Sequence, residues 1–337
     1  MLTPSLYHTY QLFGITLVSN FPFTYHLQAA SGPADLTLDW VADLPASPDG
    51  DPVFTSSLLV RGEPMLRAWQ QEGCLRLLFP HQADFLLQAE RIFCQILDEN
   101  ELPVIETNIL AAVLAAWLEQ RGVLTLHASA VTLNGQGLAF LSQSGNGKTG
   151  LCLALVHAGH PMLSDDILPL MEQNSVFYGQ PAFPTMRIHP DEAQYFLGAY
   201  EHFQRVNPRI EKRLVPVGTG DLGSFAPAPA PMRGLFILQR RDPAQLGEEI
   251  EIKPFPRAQA AVELVRHSFT ARLAAALGWQ ARRLDAFARL LRQAPVYQLS
   301  YPSGFDHLTR VRAALEAWCE GPKTGDPSLK KNRAEPT

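Results

Sequence analysis

A chain of 337 residues that is 46% hydrophobic and 18% charged has the make-up of a soluble globular protein with room for two domains. Its net charge of -5 excludes the dominant basic face that nucleic-acid binding asks for. The four cysteines, Cys74, Cys94, Cys152 and Cys319, lack the spacing of a zinc site or a disulfide framework and read as buried thiols. Met1–Tyr10 has neither a basic start nor a long apolar run, and the longest apolar stretch, Ile109–Leu118, is too short to cross a bilayer. The expectation is a cytoplasmic protein with neither nucleic acid nor membrane as partner.

Residues 1–105 read as β-rich. Short apolar or alternating segments at Tyr10–Val18, Asp35–Leu38, Cys74–Phe79 and Asp84–Leu87 are separated by Pro, Gly and Asp clusters. Asp35, Asp39, Asp49 and Asp51 lie near Pro and Gly and read as solvated turns rather than a metal cluster. No catalytic constellation is visible here, which leaves substrate recognition or scaffolding.

Thr107 can cap a helix in which Ile109, Leu110, Val113, Leu114, Trp117 and Leu118 recur at helical spacing until Gly122 closes it. Val123–Leu133 then alternates as a strand that carries His127, and the Asn134-Gly135 turn signal joins it in a hairpin to Gly137–Leu141. The second strand empties into Ser142-Gln143-Ser144-Gly145-Asn146-Gly147-Lys148-Thr149, and a helical pattern follows from Gly150 to Ala158. Strand, glycine-containing loop, Gly-Lys-Thr and helix in that order are what a Walker A phosphate loop needs. Backbone N–H groups face an anion, Lys148 reaches the terminal phosphates, and the Thr149 hydroxyl can ligate magnesium. The first position is Ser142 where the pattern has glycine. A GTPase-type Asn/Thr-Lys-x-Asp segment is absent, which favours ATP over GTP.

Sixteen residues past Thr149, Asp165-Asp166 opens a short strand that runs to Leu170. One short helix returns the chain beside the loop, so these carboxylates belong near the γ-phosphate and its metal. A proline-rich passage, Gly179–Pro190, holds Arg187 and His189, and Glu211-Lys212-Arg213 precedes a β-like Leu214–Val217. After a link at Ala226–Pro231 come strands at Gly234–Gln239 and Glu249–Phe255. A helical region from Arg257 to Leu277 follows, with Val262, Val265 and Phe269 on its face. A helix to Leu291, a strand at Val296–Tyr301 and a helix from Asp306 to Trp318, capped by Ser303, complete the pattern. The tail from Gly321 reads as disordered.

Leu126-His127-Ala128-Ser129-Ala130, Ser144–Thr149 and Leu163-Ser164-Asp165-Asp166 stand in the order and spacing of the HPr kinase/phosphorylase catalytic domain, which the chain resembles. The resemblance is nearest to HPr-kinase-like proteins of lasso-peptide biosynthetic clusters, which phosphorylate a serine of a ribosomal precursor peptide. Lys212-Arg213-Leu214-Val215-Pro216 matches a further passage of that group, while Pro184 to Arg187 is one residue shorter than its Pro-x-x-x-Arg. The likeness is good from about 105 to 320. It implies a mixed α/β (α+β) fold: a P-loop kinase domain of the HPr kinase/PEP carboxykinase type over 106–320, with a smaller β-rich domain over 1–105. It also implies ATP and Mg2+ as cofactors, a peptide or protein acceptor serine, and self-association into a homo-oligomer as an option. One of Asp165 and Asp166 would be the base, with Asp165 favoured, and Asp166 would help Thr149 hold magnesium. His127 would contact that carboxylate or the phosphates. Arg187, Lys212 and Arg213 become candidates to clamp phosphates or an acidic peptide. The Glu-Leu/Ile-Arg-Gly-Leu-Gly signature of the bifunctional enzyme is absent, so phosphorylase activity and HPr as substrate are not expected. Two alternatives to a peptide serine kinase remain at this point: a small-metabolite kinase, and a nucleotide-binding regulator that transfers nothing.

Overall fold

Two nine-stranded sheets organise the chain. The computed structural model describes residues 6–46, 48, 50–71, 73–143, 145–220, 222–242 and 249–321; Asp49, Ser144 of the loop and the tail beyond Gly321 lie outside these. The fold is mixed α/β.

The first sheet is built from β1 (His8–Leu12), β2 (Ile15–Ser19), β3 (Gln28–Ala29), β4 (Leu36–Val41) and β5 (Phe54–Thr55), then, after a small hairpin of β6 (Leu59–Val60) and β7 (Glu63–Pro64), from β8 (Arg67–Gln71), β9 (Cys74–Phe79), β10 (Ala83–Leu87) and β11 (Arg91–Ile96). Their spatial order is β3-β1-β2-β4-β11-β10-β9-β8-β5. The Tyr10–Val18 segment is a hairpin rather than one strand. Phe13 (φ 54) and Gly14 (φ 76) both take the left-handed conformation that matches a two-residue turn to strand twist. Asp39 is a second correction. It lies inside β4, buried, where it accepts from the Tyr7 hydroxyl at 2.6 Å and pairs with Arg91 at 2.8 Å. Among the described residues no cluster of His, Cys, Asp and Glu could by itself hold a metal.

The helix after this sheet is longer than its apolar periodicity indicated. Helical turns run from Glu99 to Gln120, with a π turn over Ile109–Val113 between α1 (Leu102–Asn108) and α2 (Leu114–Gln120). Asp98, not Thr107, caps the start, since its side chain accepts from the Asn100 N–H; the Thr107 hydroxyl turns inward to the Pro103 carbonyl at 2.9 Å. By length (22 residues) and mean hydropathy (1.5) the run could cross a membrane, but 67% of its most apolar window is buried inside the protein, as befits a core helix. It shares one continuous core with the first sheet and with Phe183, Val206 and Leu214 from later in the chain. Glu106 ties the two together, accepting from the N–H groups of Thr24 (2.6 Å) and Tyr25 (2.7 Å) and from the Thr24 hydroxyl (2.6 Å).

The second sheet contains β12 (Leu124–Leu126), β13 (Ala128–Leu133), β14 (Gln136–Leu141), β15 (Met162–Ser164), β16 (Leu168–Gln173) and β17 (Val176–Gly179). Beside it stand β18 (Thr185–Ile188), β19 (Arg205–Asn207) and β20 (Ile210–Pro216) as a three-stranded sheet; β21 (Ala230–Arg241), β22 (Glu251–Pro254) and β23 (Val296–Pro302) complete the large one. Val123–Leu133 is therefore two strands, broken at His127. β12 pairs with β16 while β13 pairs with β14 and β15. The hairpin at Asn134 (φ 49) and Gly135 (φ 73) forms as its sequence demands. β14, β21 and β23 run parallel, so their carboxyl ends meet at one edge, the place where open α/β sheets receive ligands. The long 257–277 helix is also broken: Arg257–Arg266 and Ala271–Ala276 flank an extended turn that pairs back onto β12, and Val262, expected on the buried face, is 51% exposed. Ala226–Pro231 is no loose link either, for Ala226 is buried and β21 begins at Ala230.

Candidate active site

β14 delivers the chain into the Ser142–Gly147 turn, and α3 (Lys148–His157) leaves it. Gly145 (φ 81) and Gly147 (φ 87) adopt left-handed backbone that other residues take only at a cost. Ser142 does not: it has no positive φ, it is buried, and its hydroxyl donates to the Gln143 carbonyl at 3.1 Å. Glycine's freedom is not required at that position in this loop. Asn146 closes the turn by donating its N–H to the Gln143 carbonyl at 3.2 Å. The first N–H groups of α3 have no partner within the helix, and Gly147, Lys148 and Thr149 line the cavity, the arrangement that favours an anion. Lys148 is buried and folds back so that Nζ donates to the Ser142 carbonyl at 2.7 Å. Burial lowers its pKa, although Asp166 and Asp165 pull the other way.

The two aspartates form a tight turn between β15 and β16 rather than the start of a strand, and Asp166 itself sits at φ 76. That inversion points the two carboxylates to different partners. Asp165 is buried with both oxygens engaged: Oδ1 accepts from the Ser129 hydroxyl (2.9 Å) and the Thr149 hydroxyl (3.4 Å), Oδ2 from the Arg187 backbone N–H (2.9 Å). Asp166 keeps 29% of its side chain exposed and pairs with Arg187 at 2.8 Å and with His127 Nδ1 at 3.3 Å. Burial pushes the Asp166 carboxyl up, but Arg187, His127, Lys212 and Lys148 together hold it below its usual range. Burial lowers the His127 pKa, with Asp166 opposing. Its place is fixed by the extended turn after Arg266: the His127 N–H donates to the His267 carbonyl at 2.6 Å.

A cavity of about 320 Å³ lies between these groups. Of the residues singled out by sequence, His127, Gly145, Gly147, Lys148, Thr149, Asp166 and Lys212 line it. Gln143 and Asn146 lie exposed on the loop, and Ser142, Asp165 and Arg187 stand behind the wall as supports. Arg213 is not brought to the site. It follows Lys212 on β20, and alternation along a strand sends it to the opposite face, over the Tyr200 ring and onto the Phe203 carbonyl. His189, Asp191, Glu192, Arg240 and Phe305 complete the lining. The first three open α4 (Pro190–Leu197), and His189-Pro190-Asp191-Glu192 carries a legible helix start: a proline in the first turn and an acid reaching back to the cap N–H. Arg240 and Phe305 leave no such signal, since they reach the loop only through the parallel register of β21 and β23.

The donor set suits magnesium. One hydroxyl and neighbouring carboxylates, with water and phosphate oxygens for the remainder, is how Mg2+ is commonly held in phosphoryl-transfer sites. No protein-family model matches the chain, and no curated protein matches it. Among solved structures it is similar to the HPr(Ser) kinase/phosphatase from Coxiella burnetii, with 14% identity and a TM-score of 0.30 over 58% of this chain and 99% of that one. A likeness of that strength carries no functional weight.

Proposed function

We propose that this chain is an ATP- and magnesium-dependent kinase that transfers the γ-phosphoryl group to a hydroxyl, that of a serine in a peptide. The observation that carries the reading is the Asp166 carboxylate facing the cavity beside Lys148, with Asp165 held under Thr149 behind it. A binding protein needs the loop; a second carboxylate kept ionised on the cavity wall has its use in receiving the acceptor hydroxyl. Lys148 and the α3 N-terminus hold the phosphates, and Thr149, its hydroxyl oriented by Asp165 from behind, would hold magnesium, which supplies charge neutralisation when bound. Asp166 then takes the base role that the sequence resemblance gave first to Asp165. A carboxylate below its usual range is a weak base, but a loose phosphoryl transition state asks mainly that the hydroxyl be oriented and relieved of its proton late.

The finer acceptor, a ribosomally made precursor peptide of the lasso type, rests on the sequence resemblance alone. Incubation with γ-labelled ATP, magnesium, a serine-ending precursor peptide and candidate metabolites tests both levels. Label on the peptide supports the whole proposal, and label on a metabolite keeps the kinase and removes the peptide. ATP binding without transfer to any acceptor removes the kinase.

A further inference from the structure

The cavity has two unlike ends. At one, His127 and Asp166 crowd the Lys148 ammonium. The other opens past Gly147 and Gly150 into a smaller adjoining pocket of about 30 Å³, shared with the first through Gly147, Glu192, Arg240 and Phe305. Tyr301 lines this small pocket, and its hydroxyl is buried without a hydrogen-bond partner. A buried, unpaired hydroxyl is costly unless something arrives to satisfy it. Burial pushes Tyr301 up to about 12, so the group is a donor at any ordinary pH. The Phe305 ring packs against Tyr195, centroids 5.0 Å apart, and Tyr195 is half exposed beside it. Gly147 keeps this side open: a Cβ there would meet Arg240 Cδ at 3.1 Å and the Tyr301 hydroxyl at 3.3 Å.

On the kinase reading above, Lys148 fixes where the terminal phosphates lie, and the rest of the nucleotide leaves over Gly147 and Gly150. We propose that Arg240, Tyr301 and Phe305 form the subsite for the inner phosphate, sugar and base, with Arg240 on the phosphate, the Tyr301 hydroxyl donating to the sugar–phosphate and the Phe305 ring stacked on the base. Arg240 is exposed and lines both pockets, so its charge faces the ligand. The base therefore binds by its face on an aromatic platform that Tyr195 backs.

Equilibrium binding of ATP and of inorganic tripolyphosphate, each with magnesium, tests this in the full chain. Phe305→Ala is expected to weaken ATP by about tenfold or more while tripolyphosphate binds as before, because a lost stacking contact acts only on the base. Phe305→Trp should retain ATP binding, and Tyr301→Phe should weaken ATP alone. Unchanged ATP binding by Phe305→Ala overturns the subsite and leaves the kinase reading standing. An equal loss for both ligands also overturns it, by placing the effect on the loop. Failure of the unaltered chain to bind either ligand overturns the kinase reading itself.

Discussion

Arg187 holds Asp166 at 2.8 Å through Nη1, and through its own backbone N–H it holds Asp165 at 2.9 Å. One residue of β18 thereby fixes two adjacent carboxylates and sends them to different tasks. It is itself buried and rests over the Tyr25 ring at 5.4 Å, so the segment that Glu106 pins to the core helix backs the Asp166 end of the cavity. The connection between β2 and β3 thus touches the arginine that supports the site.

Asp166→Asn is expected to lower kcat by about 10²–10⁴, the usual range for losing a positioned base, while ATP still binds. Asp165→Asn should act differently. Its amide can keep the Arg187 N–H as donor partner on one side and meet two rotatable hydroxyls on the other, but it loses the charge beside Thr149. Its signature is a higher magnesium concentration for half-maximal rate. If Asp165→Asn abolishes turnover at saturating magnesium while Asp166→Asn keeps it, the base is Asp165.

Arg187→Gln should move the acid limb of the kcat/KM profile to higher pH. In the folded chain Arg187 is the foremost of the groups that lower the Asp166 carboxyl against the effect of burial. The Asp166 carboxylate of the unaltered protein is therefore held ionised to lower pH than an ordinary aspartate. Without the guanidinium, fewer charges oppose the effect of burial and the carboxyl protonates earlier as pH falls. Stability follows the same sign: a depressed carboxylate stabilises the fold above its unfolded value and loses that contribution as pH drops through the folded one. An acid limb that stays in place in the variant would show that Arg187 does not tune Asp166.

The strand, glycine turn and helix around Gly145–Lys148, the Asn134-Gly135 hairpin and β9 were legible because each depends on local rules: glycine conformation, turn chemistry and strand alternation. The break at His127 was not. Leu124–Ala130 alternates through His127 without interruption, and only the pairing of β12 with β16 and of the His267 carbonyl with the His127 N–H divides it there. Asp166 was assigned to a strand for a related reason, since nothing in Ser-Asp-Asp-Ile announces φ 76 at a non-glycine residue. Arg213 was misplaced although strand alternation could have separated it from Lys212. Arg240 and Phe305 come from distant strand ends and needed the sheet register.

Gly147→Ala should reduce nucleotide affinity and lower stability by about 1–2 kcal/mol, the cost of left-handed backbone for a residue with a Cβ. The added carbon would also press on Arg240 and Tyr301. Gly145→Ala meets no atom within 4 Å, so its loss should come from backbone strain alone and be the smaller of the two. Urea midpoints and ATP titrations on both variants measure the difference; equal effects would remove the contact with Arg240 and Tyr301 from the explanation.

Lys212 and Arg213 offer the sharpest contrast, because they are adjacent in sequence and opposite in space. Lys212 reaches the cavity and helps depress Asp166, whereas Arg213 lies against Tyr200 and Phe203. Lys212→Ala should raise KM for ATP or for the acceptor, and it should move the acid limb upward in the same direction as Arg187→Gln but less, since Lys212 ranks below Arg187 among the charges acting on Asp166. Arg213→Ala should leave both KM values and the limb unchanged and show itself only as a small loss of stability from the uncovered Tyr200 ring. Steady-state kinetics across pH for the two variants decide the matter. A KM effect from Arg213→Ala equal to that of Lys212→Ala would mean that β20 presents both cations to the ligand, and the strand register that separates them would have to be wrong.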